Sequence, residues 1–182
     1  MAVKNLHIAH TQGFCAGVVN AIDIVNLCIK KYGTPLYVRH AIVHNTSVIK
    51  EFENKGVIFV EELSDVPDNQ VIVFSAHGTS PDVFDTAKKR KLTIVDATCP
   101  LVTKIHRQAQ RHSIRNTHVI FIGHRGHQEL IGTSGYVKPD YLSINVISKS
   151  TSKTGFSKIE IHINFHFDNY TDNIAQFTIQ PG

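Results

Sequence analysis

Two cysteines stand where a thiol is available for chemistry. Cys99 closes the run Val95-Asp96-Ala97-Thr98-Cys99-Pro100, where an apolar stretch meets a proline suited to the first position of a helix, since its missing N–H goes unused there. Cys15 lies in Gly13-Phe14-Cys15-Ala16-Gly17-Val18. Its flanking glycines allow close backbone approach, and a helix start favours an anionic sulfur. Three histidines occupy similar corners: His44 in Val43-His44-Asn45, His77 in Ser75-Ala76-His77-Gly78, and His127, which is followed two residues later by Glu129. Two thiolates with several imidazoles fit a zinc site with an open position or part of an iron–sulfur site. The chain has no C-x-x-C pair, no GxGxxG and no Walker loop, which speaks against a structural zinc module and the common nucleotide motifs. On spacing alone Glu129 is either a catalytic carboxylate or a solvated one at a helix start. The third cysteine, Cys28, shares helical spacing with Ala21, Val25 and Tyr32 and reads as a small core residue. His7, His10, His106, His112, His118, His162 and His166 have no comparable placement and read as surface or core.

The elements that must carry these residues alternate. Strand candidates are Leu6–Ala9, Leu36–Val38, Val57–Val60, Val71–Phe74, Leu92–Val95 and His118–Ile122, with helical stretches between them, including one from about Ala16 to Tyr32. This order implies an α/β fold of mostly parallel sheets flanked by helices. Ser80 reads as a helix cap with Pro81 at the first position and Asp82 favoured by the dipole. Gly33 and Gly56 each read as a helix stop. The residues named above all follow strand ends. In open α/β sheets ligands bind outside the carboxyl ends of the strands. Helices starting on that rim aim N–H groups at it, which favours an anionic group such as a phosphate.

With 182 residues, 42% of them apolar and 19% charged, the composition is that of a globular protein. The formal charge is +4, and the one basic run, Lys88-Lys89-Arg90-Lys91, falls where a helix should end and where cations suit its dipole. No nucleic-acid partner is expected. No apolar run approaches the roughly 20 residues that span a bilayer, and no leader pattern opens the chain, so the expectation is a cytoplasmic protein with no membrane partner. Three widely spaced cysteines point to chemistry or packing rather than a disulfide framework.

The pattern changes after about Tyr136. Residues 141–182 contain one Ala, one Leu and no Arg, and show no helical periodicity. Ile159 to Phe167 alternates strictly and reads as a strand. The division expected is a first α/β domain over residues 1–97, a partial second α/β domain over 98–140, and a divergent tail over 141–182 of the kind a frame shift produces. Translating the other two frames across that tail checks the last point.

Gly13-Phe14-Cys15-Ala16-Gly17-Val18, Val43-His44-Asn45, Phe74-Ser75-Ala76-His77-Gly78, Asp96-Ala97-Thr98-Cys99-Pro100-Leu101-Val102-Thr103-Lys104 and Gly123-His124 through Gly132-Thr133 together closely resemble the 4-hydroxy-3-methylbut-2-enyl diphosphate reductase family. The match is collinear from about Leu6 to about Tyr136. The resemblance implies the first domain and part of the second of a pseudo-threefold, three-domain reductase around a 4Fe-4S iron–sulfur cluster. It implies Cys15 and Cys99 as cluster ligands, His44, His77 and His127 as binders of the substrate diphosphate, and Glu129 as proton donor to the departing hydroxyl. It further implies a small allylic diphosphate substrate and an external electron donor such as ferredoxin or flavodoxin. The family's third cysteine has no counterpart in this chain, so a truncated copy is expected. The alternative is a non-catalytic metal or diphosphate binding remnant.

Overall fold

Four short β-forming segments become four parallel strands: β1 (Leu36–Arg39), β2 (Val57–Val60), β3 (Val71–Phe74) and β4 (Thr93–Asp96). The computed structural model describes residues 13–123, 126–151, 157–163 and 175–178. The strand order is β2-β1-β3-β4, with Val38 paired to Phe59 on one side and Val73 on the other. Neighbouring side chains on these strands serve opposite faces, as the two-residue period requires. Leu36 and Val38 join Ala21, Val25, Cys28 and Phe52 in one core cluster, while Tyr37, Ile72 and Phe74 join Ala87 and Leu92 in another. Both faces are therefore covered, as parallel sheets demand.

The helices follow from the same bookkeeping of faces. In α1 (Ala16–Tyr32) the buried residues Ala21, Val25 and Cys28 lie at spacings that fall on one side. Cys28 is thus a core residue, and burial pushes its thiol pKa up. Asn45 caps α2 (Thr46–Asn54) by accepting from the Ser47 and Val48 N–H groups at 3.0 and 3.2 Å. Ser80 does stand at the cap position of α3 (Pro81–Lys89), but its side chain makes no capping bond. The start signal stands as expected in position, with the fixed φ of Pro81 and the charge of Asp82 favouring the helix start. Gly33 and Gly56 adopt φ of +78° and +87°, which only glycine takes without strain.

The basic run ends α3 as expected, yet Arg90 is not merely solvated. Its guanidinium pairs with Asp68 at 2.6 Å and donates to the Leu63 and Val66 carbonyls, tying the helix end to the turn before β3. Helix α4 (Pro100–Ile114) then leads to a second sheet, ordered β5-β6-β7-β8, formed by β5 (Val119–Gly123), β6 (Leu142–Thr151), β7 (Ser157–Ile163) and β8 (Ala175–Thr178). β5 and β6 pair in parallel across α5 (Gln128–Ser134), while β6, β7 and β8 are antiparallel. The alternating run from Ile159 is a strand as far as Ile163; residues 164–167 lie outside those described, as do the Leu6–Ala9 strand candidate, His7, His10, His124 and His166. Among the described residues no helix is long and apolar enough to cross a membrane.

Phe52 is 1% exposed and joins α2 to the sheet. Phe52→Ala should lower the free energy of unfolding by about 3–5 kcal/mol, measured by urea denaturation at neutral pH.

Candidate functional site

The loops leaving β1, β3 and β4 extend the sheet's hydrogen bonding beyond the strand ends. Ala97 N–H donates to the Phe74 carbonyl at 2.9 Å, Cys99 N–H to the Ala76 carbonyl at 3.0 Å, and Ala76 N–H to the Ile42 carbonyl at 3.4 Å. Cys99 is thereby fixed beside the loop that carries His77. Cys15 and Cys99 are the N-cap residues of α1 and α4, their carbonyls accepting from Val19 and Thr103 N–H at 3.0 and 2.9 Å. Each sulfur sits where its helix begins.

The two sulfurs meet at Gly17. A Cβ placed there would come within 2.6 Å of Cys99 Sγ and 3.9 Å of Cys15 Sγ, so a side chain at 17 would displace one thiol from the other. Soft thiol donors converging over a bare glycine suit an iron–sulfur cluster or zinc. They account for two ligands. Among the described residues no group of three or more His, Cys, Asp or Glu is placed to hold a metal ion, and Cys28, the remaining cysteine, is buried in the core.

A cavity of about 470 Å³ opens over the thiols, lined by Cys15, Cys99, His44, Asn45, His77 and Glu129 together with an apolar group that includes Phe14, Val43, Leu101 and Ile105. The imidazoles stand close: ring centroids are 4.2 Å apart for His44 and His77, 5.7 Å for His44 and His127, and 6.5 Å for His77 and His127. His77 Nδ1 lies 3.8 Å from Glu129 Oε1. That separation allows charge attraction but is too long for a hydrogen bond. Nε2 of His77 is buried with no hydrogen-bond partner.

Burial holds the His77 pKa below the ordinary imidazole range, and neighbouring His44 and His127 lower it further, against the opposing pull of Glu129. His77 is therefore an uncharged ring at neutral pH. An anion entering the cavity would meet N–H donors and favour a proton on this ring, because opposite charge offsets the desolvation that keeps the ring neutral.

Of the residues singled out in the sequence, Cys15, Cys99, His44, His77 and Glu129 line this one cavity. His127 caps α5 and lines the adjoining groove of about 360 Å³, which Glu129 shares. Arg39 ends β1 and His40 follows it, but neither lines the cavity; His40 Nδ1 instead pairs with Glu61 at 2.7 Å. Sequence reasoning missed the apolar rim of Phe14, Leu101 and Ile105. It also missed His106, a core residue that packs on Gly78 directly beneath the site. Its spacing with Val102, Ala109 and Ser113, the buried face of α4, was the available signal.

The model of the LytB protein family matches residues 6–177 of this chain. The 4-hydroxy-3-methylbut-2-enyl diphosphate reductase of Haemophilus ducreyi is 53% identical over 131 residues, which cover 72% of this chain and 42% of the relative. A second relative, 4-hydroxy-3-methylbut-2-enyl diphosphate reductase 2 of Bradyrhizobium diazoefficiens, is 48% identical over 149 residues, covering 82% and 48%. Among solved structures, the E-1-hydroxy-2-methyl-but-2-enyl-4-diphosphate reductase of Plasmodium falciparum superposes with a TM-score of 0.71 at 46% identity, covering 74% of this chain and 42% of that one. The chain spans a little under half the length of these relatives. The family match runs past Tyr136 into the stretch where the sequence pattern changes.

Neutral burial of His77 has a consequence for stability. A ring whose folded pKa lies below its unfolded value of 6.5 binds fewer protons folded than unfolded, so its share of stability is present above pH 6.5 and is lost as pH falls. The unfolding free energy should therefore drop between pH 7 and pH 5. His77→Gln should flatten that slope in urea titrations at each pH, and an unchanged slope would show that His77 is not buried neutral.

Proposed function

This chain belongs to the LytB protein family, and from that premise we propose that it carries the cluster-side and diphosphate-side rim of a 4-hydroxy-3-methylbut-2-enyl diphosphate reductase. The reaction removes the substrate's hydroxyl as water, consuming two electrons and two protons, and gives isopentenyl and dimethylallyl diphosphate. The observation that carries the proposal is the convergence of Cys15 and Cys99 on Gly17 beside the His44–His77 pair in one cavity. Residues 1–97 act as the first domain, 98–140 as part of the second, and 141–182 as a divergent tail.

Cys15 and Cys99 would hold two corners of a 4Fe-4S cluster, and the family's third cysteine has no counterpart in this chain. When bound, such a cluster supplies one-electron transfers and a Lewis-acidic iron. The chain's own residues do the rest. His44, His77 and His127 offer N–H donors to the diphosphate, reinforced by the helix N-termini at the rim. Glu129, half-exposed at the cavity edge and 3.8 Å from His77 Nδ1, holds the proton that lets the oxygen depart as water rather than hydroxide. The apolar rim of Phe14, Leu101 and Ile105 would exclude water once covered; Leu101 is 72% exposed as it stands. An external donor such as ferredoxin or flavodoxin would supply the electrons, and the compartment proposed is the cytoplasm.

A second reading follows from finding two convergent thiols rather than three: a non-catalytic metal or diphosphate binding module. Anaerobic loading with iron and sulfide, followed by assay with chemically reduced viologen, separates the two. The reductase reading expects turnover of the hydroxylated diphosphate, and Glu129→Gln should lower it by at least about 10²-fold with substrate affinity retained. Near-normal turnover in Glu129→Gln would remove that carboxylate from the mechanism, and diphosphate binding without turnover in the parent chain would favour the binding module.

A further inference from the structure

Ser75–Thr79, between β3 and α3, is buried at every residue. Gly78 takes φ of +86°, and the space beside it is filled. A Cβ there would come within 2.5 Å of His106 Cε1, 2.8 Å of His106 Nε2 and 2.9 Å of Val102 Cγ1. From α5, Gly132 approaches so closely that a Cβ on it would stand 2.8 Å from the Gly78 carbonyl oxygen. The next peptide is held as well: the Tyr136 hydroxyl donates to the Thr79 carbonyl at 3.1 Å. Tyr136 and His106 are stacked, with ring centroids 4.4 Å apart and planes 24° from parallel.

We infer that His106 and Tyr136 are positioning residues for His77: the stacked pair clamps the Gly78 and Thr79 backbone and so fixes where the His77 imidazole stands relative to His44 and Glu129. The inference rests on the proposed role of His77 in anion binding and extends it to two residues that do not line the cavity. His77 is joined to Gly78 by a single peptide, so any shift of the clamped backbone moves the ring. The geometry allows little slack, because Gly78 is wedged between the His106 ring and the close approach of Gly132. The chemistry of the pair suits a passive brace. Burial keeps His106 below the ordinary imidazole range and therefore uncharged, and its Nε2 has no hydrogen-bond partner. Burial, with Asp96 adding to it, keeps the Tyr136 hydroxyl above its ordinary range and therefore a donor. The neutral ring acts by shape and the phenol by one directed bond.

The test uses the full chain labelled with ¹⁵N-histidine, inorganic pyrophosphate as the probe, and two variants. Tyr136→Phe removes one oxygen and keeps the stack; His106→Ala removes the brace itself. Both should shift the imidazole correlation of His77 while leaving that of exposed His112 in place, and Tyr136→Phe should weaken pyrophosphate binding because the His77 ring is displaced. If His106→Ala does not fold, Tyr136→Phe decides alone. A folded Tyr136→Phe with the His77 signal unmoved and pyrophosphate affinity unaltered would overturn the clamp. A parent chain that binds no pyrophosphate would overturn the anion site instead, and the His77 spectra would then decide the clamp without a ligand.

Discussion

Everything at the rim depends on one register. β1, β3 and β4 run parallel and end level, with Arg39 opposite Phe74 and Phe74 opposite Asp96, so the chain leaves each strand at the same edge of the sheet. Three hydrogen bonds carry the pairing on into the loops and lock Cys99 to the backbone of the His77 loop. A slip of one residue in β4 would turn its side chains to the opposite face and carry Cys99 away from Gly17. The convergence of the two thiols is therefore a property of strand pairing as much as of the cysteines themselves.

The rim combines two kinds of surface. One side is a set of crowded imidazoles, among which buried His77 is held below the ordinary imidazole range by desolvation. The other is apolar and open, formed by Phe14, Leu101 and Ile105. The imidazole side offers N–H donors that suit an anionic group, and the other side suits an apolar one. Glu129 stands half-exposed at the edge between the two, whereas His77 is buried. Both depend on a backbone that does not yield, and the packing of α4 and α5 around Gly78 provides it.

Much of this was legible in the residues. Val57–Val60 and Val71–Phe74 are strands with the bounds the apolar runs set, and α1 spans Ala16–Tyr32 as the helical spacing indicated. Pro100 opens α4 for the reason its chemistry suggests. β4 is displaced by one residue: its ladder begins at Thr93, and Leu92 packs in the core with Ile72 and Phe74. What stayed hidden was tertiary. Ser80 looks like any capping serine, and only the fold shows that its side chain makes no capping bond. His106 resembles six other unassigned histidines until α4 is laid against Gly78. The division of the chain between two sheets, with His127 and Glu129 arriving from the second, also depends on pairings distant in sequence.

On the proposed reading, Cys15 and Cys99 act together on one iron–sulfur centre. The measurement that tests it most directly is anaerobic reconstitution with iron and sulfide, reading iron per chain and visible absorption for the parent and for Cys15→Ser, Cys99→Ser and Cys28→Ser. Stable iron and sulfide-to-iron absorption in the parent and in Cys28→Ser, lost in Cys15→Ser and in Cys99→Ser, is the predicted result. Iron held equally by Cys15→Ser and Cys99→Ser, or no retained iron in the parent, would contradict it.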